Sequence, residues 1–354
     1  MVLSLLVHPQ LGSTSIGATG TYTETASGLL SNYINNLKAT ALENMVYIRK
    51  IYTIPESAQA PRPRESNYGR TTDMNEVSEV VGRATELLEG QTLTWNPNIV
   101  LWEDSVMNYY YDETILVITW KELINGAVCT FAEVKIADGS QLRRYLAGNG
   151  YGSSVRDYPT AMNEYVNGVV CINGDFYDYR PNGITVYQRE LYRFNPGYVD
   201  NCFFTGSGDM IFIPRDFTCA REEMEQFIKD NDVTFGLAFG PIMVENGVAI
   251  PCDGYALGEV RDIYSRSAIG QLGPLHYLLC CINTTPGGGM AATMTQAAQY
   301  MADKGCISAY ALDGGQTATI AMRGETVNRV DWDWERTMSD IIYFATALPD
   351  GGNQ

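Results

Sequence analysis

Two carboxylates and two arginines, each beside a glycine-bearing loop, are the residues of this sequence best suited to chemistry. Asp175 stands in Asn173-Gly174-Asp175-Phe176-Tyr177, with Arg180 and Gly183 close behind. Asp313 stands in Leu312-Asp313-Gly314-Gly315-Gln316-Thr317, followed by Asn328 and by Glu335-Arg336. Arg266 opens Arg266-Ser267-Ala268-Ile269-Gly270, and a further loop reads Phe239-Gly240-Pro241-Ile242-Met243-Val244-Glu245-Asn246-Gly247. Glycine beside an acid at a strand end lets backbone approach a ligand while the acid is held in place. A pair such as Asp175 and Asp313 can divide acid–base and nucleophilic work at an acetal carbon. Arginines such as Arg266 and Arg336 can clamp a phosphate through paired N–H donors. Each loop taken alone also fits an ordinary turn, and an isolated arginine fits a surface ion pair. Spacing leaves open whether the loops meet in space.

Composition narrows the chemistry by exclusion. The 354 residues carry 24 Lys+Arg against 41 Asp+Glu, a formal net charge of −17. Nucleic acids are held by clustered Lys and Arg, so no nucleic-acid partner is expected. Only two histidines, His8 and His276, occur, too few and too far apart for an imidazole metal site. No metal and no cofactor are expected. Without a Gly-x-Ser-x-Gly turn, a Ser–His–Asp triad has no support, and His276 within apolar 275–279 reads as structural. Gly287-Gly288-Gly289 lacks the Lys-Ser/Thr of a phosphate-binding loop. The eight cysteines contain no Cys-x-x-Cys pair and several lie in apolar runs, so buried free thiols are expected. Most of the 23 tyrosines fit ordinary strand surfaces, whereas Trp332 and Trp334 are better placed as a platform for a sugar ring. No run approaches the roughly 20 apolar residues of a membrane span, and 1–7 does not read as a signal peptide.

The elements that must position these loops are legible in outline. A helix is expected over 29–42 and a strand over 45–54, followed by a proline-bearing connector over 55–65. Apolar residues at helical spacing predict a helix over 73–88 capped by Thr71-Thr72-Asp73. Strands are expected over 109–120 and 127–136 around the turn Asn125-Gly126, and over 168–172. Helices are expected over 221–229 and 293–304, the second with Met294, Ala297, Ala298 and Met301 on one face and Gly305 as its stop. Strands and helices alternate without a βαβ rhythm, which predicts an α+β fold of mixed β-sheets with flanking helices. The chain is expected to divide near residue 95, with 1–95 an accessory or attachment region through which it could assemble and 96–354 the site-bearing domain.

The ordered set of motifs, closing with Arg336-x-x-Ser339-Asp340-Ile341-Ile342, resembles the phosphodiester glycosidase family. Bacterial members of that family are often labelled exopolysaccharide biosynthesis proteins. The resemblance runs from near Asp104 to Phe344 and leaves 1–95 outside it. It implies hydrolysis of the bond between a sugar's anomeric carbon and a phosphodiester oxygen, on a glycan or phosphoglycan substrate. By the same resemblance Asp313 acts on the anomeric centre or its water, while Asn173 and Asp175 bind hydroxyls or assist as acid or base. Arg266 and Arg336 hold phosphate charge; Gly314, Gly315 and Thr317 form an anion-binding turn, with Asn328 among the substrate-binding residues. Three motifs depart from the family pattern. Asn283-Thr284-Thr285 replaces Asp-Gly-Arg, Gln316 replaces a glycine, and Tyr187-Gln188-Arg189 replaces Arg-Asn-Gly. A glycan-binding or structural surface or phage-particle protein that reuses the fold is therefore the second reading. The family points to an extracellular or cell-surface location, and the second reading to the virion.

Overall fold

In the computed structural model, residues 53–88, 102, 105–175, 177–255, 260, 262–284 and 291–349 are described. The expected helix over 29–42, nearly all of the strand over 45–54, and Gly287-Gly288-Gly289 lie outside them. Tyr52–Gln354 forms one compact unit.

Nine strands form the main sheet. Its order is β1 (Tyr68–Thr71), β2 (Met107–Tyr111), β3 (Ile115–Ile124), β4 (Ala127–Ile136), β15 (His276–Asn283), β14 (Arg266–Gly273), β16 (Ser308–Leu312), β12 (Ile242–Glu245) and β13 (Val248–Ala249). A five-stranded sheet runs β18 (Glu325–Thr326), β17 (Ile320–Met322), β6 (Val170–Asn173), β19 (Asp340–Phe344) and β5 (Leu142–Leu146). Smaller sheets are β10 (Met210–Ile213), β9 (Asn201–Thr205), β11 (Val233–Leu237), and the hairpin β7 (Gly183–Tyr187) with β8 (Glu190–Asn195). Among the described residues, the four α-helices are α1 (Met74–Leu87), α2 (Pro159–Tyr165), α3 (Arg221–Asp230) and α4 (Met294–Asp303). The architecture is α+β, as the sequence predicts.

The period-two alternation of strands sets the layers. Val170, Ile172, Ile320, Ile342 and Phe344 turn one face of the five-stranded sheet into the main core shared with β4, β14, β15 and β16. The residues between them, Cys171, Ala321, Ile341 and Tyr343, pack on Met162 and Val166 of α2. Met294, Ala297, Ala298 and Met301 of α4 join the main core as predicted. Thr293 and Gln296 close a capping box at the start of α4, and Gly305 takes φ 90° just beyond its end. The β3–β4 turn is made by Asn125 and Gly126 at φ 52° and 82°, the left-handed pair that a two-residue hairpin requires. All eight cysteines are free and seven are buried. His276 is buried, with Nε2 2.7 Å from Glu133 Oε1.

One expectation is corrected. The single strand over 109–120 is broken at 112–114, because Asp112 Oδ1 accepts from Thr114 N at 2.7 Å and from Ile115 N at 3.2 Å, which closes a turn. The division near residue 95 does not mark the edge of the sheet. β1 pairs with β2, and Val77, Val80 and Ala84 of α1 sit in the main core. The Asp73 carboxylate caps α1 by accepting from Asn75 N at 2.8 Å. Among the described residues, no helix is long and apolar enough to cross a membrane.

Candidate functional site

The motif loops emerge at one end of two stacked sheets. Antiparallel pairing sets the end of β16 against the start of β14, with Leu312 opposite Ser267. It also sets the end of β6 against the starts of β17 and β19. One side chain ties these ends together. Asn173 Nδ2 donates to the Asp313 carbonyl at 2.8 Å, and its Oδ1 accepts from Ser267 Oγ at 2.7 Å and Thr319 N at 3.2 Å. Asn173 is wholly buried. Its amide is a brace between loops rather than an open contact for a sugar hydroxyl.

Asp175 is likewise committed. Oδ1 accepts from Arg144 Nη2 at 2.8 Å and Tyr177 N at 2.9 Å, while Oδ2 accepts from Ala238 N at 2.7 Å. The last bond fastens the Phe239-Gly240-Pro241 loop, which contains a cis Gly240–Pro241 peptide, to the Asn173–Tyr177 loop. Arg144, from β5, also donates through Nε to Asp340 Oδ2 at 2.8 Å, with Nη2 paired to the same oxygen at 2.7 Å, and through Nη1 to the Gly236 carbonyl at 2.5 Å. All three charged side chains are shut away from solvent. Burial pushes the Asp340 carboxyl up from the usual carboxylate range, Arg144 pulls it back, and the Asp175 charge adds to the rise. Gly174 is needed because a Cβ there would lie 1.9 Å from Asp340 Oδ2. Neither Arg144 nor Asp340 was assigned a role from sequence. A signal was nevertheless present, since Leu142 and Leu146 flank Arg144 at period two and put it on the buried face of β5.

Asp313 differs. It is half-buried, and burial pushes its carboxyl up to about 6 against the downward pull of Thr317, Arg180 and Arg336. Asp175 contributes a smaller upward push. Asp313 is thus the carboxyl within electrostatic reach of two guanidinium groups and of the other motif acid. Arg336 is exposed and makes no hydrogen bond or ion pair among the described residues. It also lines a cleft of about 380 Å³ with Tyr264, Ser265, Gly314, Gly315, Gln316, Asp331 and Trp332. A larger cavity of about 720 Å³ lies away from the motif loops, between β1, β3 and the β17–β18 hairpin.

The remaining predicted ligands are drawn inward. Arg266 Nε donates to the Ala292 carbonyl at 3.0 Å, and its Nη2 donates to the Asp262 carbonyl. Its guanidinium therefore braces the entry to β14 instead of facing the cleft. Gly315 N donates to the Ser265 carbonyl at 2.8 Å, and a Cβ on Gly314 would lie 2.5 Å from that same oxygen. These glycines permit close packing of two backbones; the Gly315 N–H is not available to an anion. Thr317 Oγ1 donates to the Gly314 carbonyl at 2.6 Å. Asn328 is buried, accepting from Ile320 N at 2.7 Å and donating to Asn283 Oδ1 at 2.9 Å. Arg266, Gly315, Thr317 and Asn328 are thus each bonded to neighbouring chain. Polar side chains at strand ends look alike in sequence whether they serve a ligand or their own backbone. Among the described residues, no cluster of three or more His, Cys, Asp or Glu could hold a metal ion.

A family model for phosphodiester glycosidases matches residues 167–345. The match begins later than the Asp104 expected from the motifs, and it includes Asp313 and Arg336 but not Arg144. Among solved structures, the catalytic domain of zebrafish N-acetylglucosamine-1-phosphodiester alpha-N-acetylglucosaminidase, auto-inhibited by its pro-peptide, is 15% identical with a TM-score of 0.51. That match covers 65% of this chain and 82% of the zebrafish domain, and it shows a shared fold. A hypothetical protein from Synechocystis is 14% identical over 66% of this chain and 62% of its own, with a TM-score of 0.48. Among curated proteins, none matches this sequence.

Proposed function

The chain belongs to the phosphodiester glycosidase family, and on that premise we propose that it hydrolyses the bond between a sugar's anomeric carbon and a phosphodiester oxygen in a glycan or glycoconjugate. The observation that carries this reading is the environment of Asp313, a half-buried carboxyl next in the chain to cleft-lining Gly314 and within electrostatic reach of Arg180 and Arg336. Ionised Asp313 acts on the anomeric carbon or on the water that attacks it. The carbon–oxygen bond breaks and its electron pair leaves on the phosphate monoester. Such a leaving group is already stabilised as an anion, so it needs little protonation. Arg336, together with Arg180, offsets the charge that gathers on the phosphate oxygens as the bond opens. Asp175 is shut away from solvent, with three of its acceptor positions filled by Arg144, Tyr177 and Ala238. Its part is to hold the Asn173–Tyr177 loop against the Phe239-Gly240-Pro241 loop, with Arg144 and Asp340 beneath. This substrate class goes with work on extracellular or cell-surface material.

The competing reading is a protein that holds a phosphoglycan without cleaving it. The inward commitment of Arg266 and Thr317 favours it, because both would otherwise add to the grip on the phosphate. Methyl diesters of several sugar 1-phosphates, assayed for free reducing sugar, separate the two. Turnover of at least one is expected, and binding of a diester that stays intact would sink the enzyme reading. Arg336→Ala should lower kcat/KM by about a hundredfold, with Arg336→Lys recovering part of the loss. Full kcat/KM in Arg336→Ala would remove Arg336 from the phosphate site.

A further inference from the structure

Beside Arg336, the 331–334 turn exposes two indoles that the fold does not use. Trp332 is 68% and Trp334 63% exposed, and their ring centroids lie 6.4 Å apart at an interplanar angle of 40°. Trp332 and Asp333 both adopt positive φ, 65° and 64°, a conformation that side-chain-bearing residues rarely take. Three bonds hold the turn in that shape. Ser265 Oγ donates to Asp331 Oδ1 at 2.8 Å, Arg329 Nε to Asp333 Oδ1 at 2.8 Å, and Gln316 Nε2 to the Trp334 carbonyl at 3.3 Å. Large apolar rings held in water by a braced, rarely adopted backbone need a partner that would cover them. The polar groups beside Trp332 in the same cleft, Gln316, Asp331 and Arg336, offer donors and acceptors around an apolar face. A sugar ring has the matching chemistry, with a C–H face for the indole and hydroxyls for the rim.

We propose that Trp332 and Trp334 form a subsite for a sugar residue beyond the scissile bond, so that the substrate is an oligosaccharide chain rather than a small diester. This rests on the proposed hydrolysis for its meaning, but its test does not. Chitotetraose, maltotetraose and mannotetraose carry no phosphodiester, so their binding to the full chain is read apart from turnover. At least one should bind with a Kd of about a millimolar or tighter and shift tryptophan emission to the blue. In Trp332→Ala/Trp334→Ala the same sugar should bind at least about tenfold more weakly, with the melting temperature held because both side chains are exposed. Kinetically, a tetrasaccharide 1-phosphodiester should show a lower KM than the monosaccharide diester in the native protein, and that advantage should vanish in the double variant. Oligosaccharide binding with no turnover of any sugar 1-phosphodiester would defeat the enzyme reading and leave the subsite standing. The subsite is overturned if none of the three tetrasaccharides binds, if binding survives loss of both indoles, or if the double variant instead turns a dimer into a monomer.

Discussion

Asp313→Asn is expected to reduce kcat for sugar-1-phosphodiester hydrolysis by about a thousandfold or more, the scale seen when a carboxylate acting at the reacting centre is neutralised. The native enzyme should carry an acid limb in its pH–rate profile. Asp313 must be ionised to act, and its carboxyl sits at about 6, so activity should rise as pH passes upward through that value. Stability should run the other way. A carboxyl raised from 3.8 to about 6 makes the folded chain bind a proton that the unfolded chain has released. The favourable contribution is complete below 3.8 and is lost as pH climbs through 6. Above that, an ionised and partly desolvated Asp313 works against the fold. The Asn variant should therefore match the native protein at pH 4 and equal or exceed it by on the order of 1 kcal/mol at pH 7.5. Urea titrations at both pH values check this, and a variant that keeps the acid limb near 6 would transfer the role to another group.

Arg144→Leu should be the most damaging single change to the framework of the site. It leaves the carboxylates of Asp175 and Asp340 facing one another without a cation, all within the interior. Removing one partner of a buried charge network costs about 3–5 kcal/mol, far more than loss of an exposed ion pair. The loss should shrink as pH falls, because protonation of Asp340, which burial already biases toward the neutral form, relieves the repulsion. Arg144→Lys should recover only part, since a single ammonium cannot serve both carboxylates and the Gly236 carbonyl as the planar guanidinium does. Equal urea midpoints for native protein and Arg144→Leu at pH 7 would show that the cluster contributes nothing.

What the sequence made legible was the order of the loops and the family to which that order belongs. Hydrophobic alternation and turn residues revealed β4 and the Asn125-Gly126 hairpin, and helical spacing with capping residues revealed α1, α3 and α4. These signals are local, so they survive without tertiary context. The reading failed where function depends on which partner a polar atom finds. Asn173, Asp175, Arg266, Thr317 and Asn328 each have the side chain that a sugar or phosphate would need, yet each is consumed by neighbouring chain. Asp175 finds its cation on β5, far from it in sequence. The pairing of chain on either side of residue 95 was hidden for a related reason. β1 is four residues long without an apolar run, and only its pairing with β2 reveals that it extends the main sheet.

The seven buried sulfhydryls turn the chain into its own reporter of opening. Burial raises every cysteine thiol above its ordinary value, Cys129, Cys252 and Cys306 to about 12, so thiolate is scarce even before access is considered. Cys219, half-buried after β10, is the one sulfur that an alkylating reagent meets without prior opening. One equivalent of label should enter quickly and the other seven only as fast as the interior exposes itself. Cys171 lies between the five-stranded sheet and α2, whereas Cys280 and Cys281 lie in the main core. The order in which these sulfurs are trapped would show whether the two faces of the five-stranded sheet come apart together or one before the other.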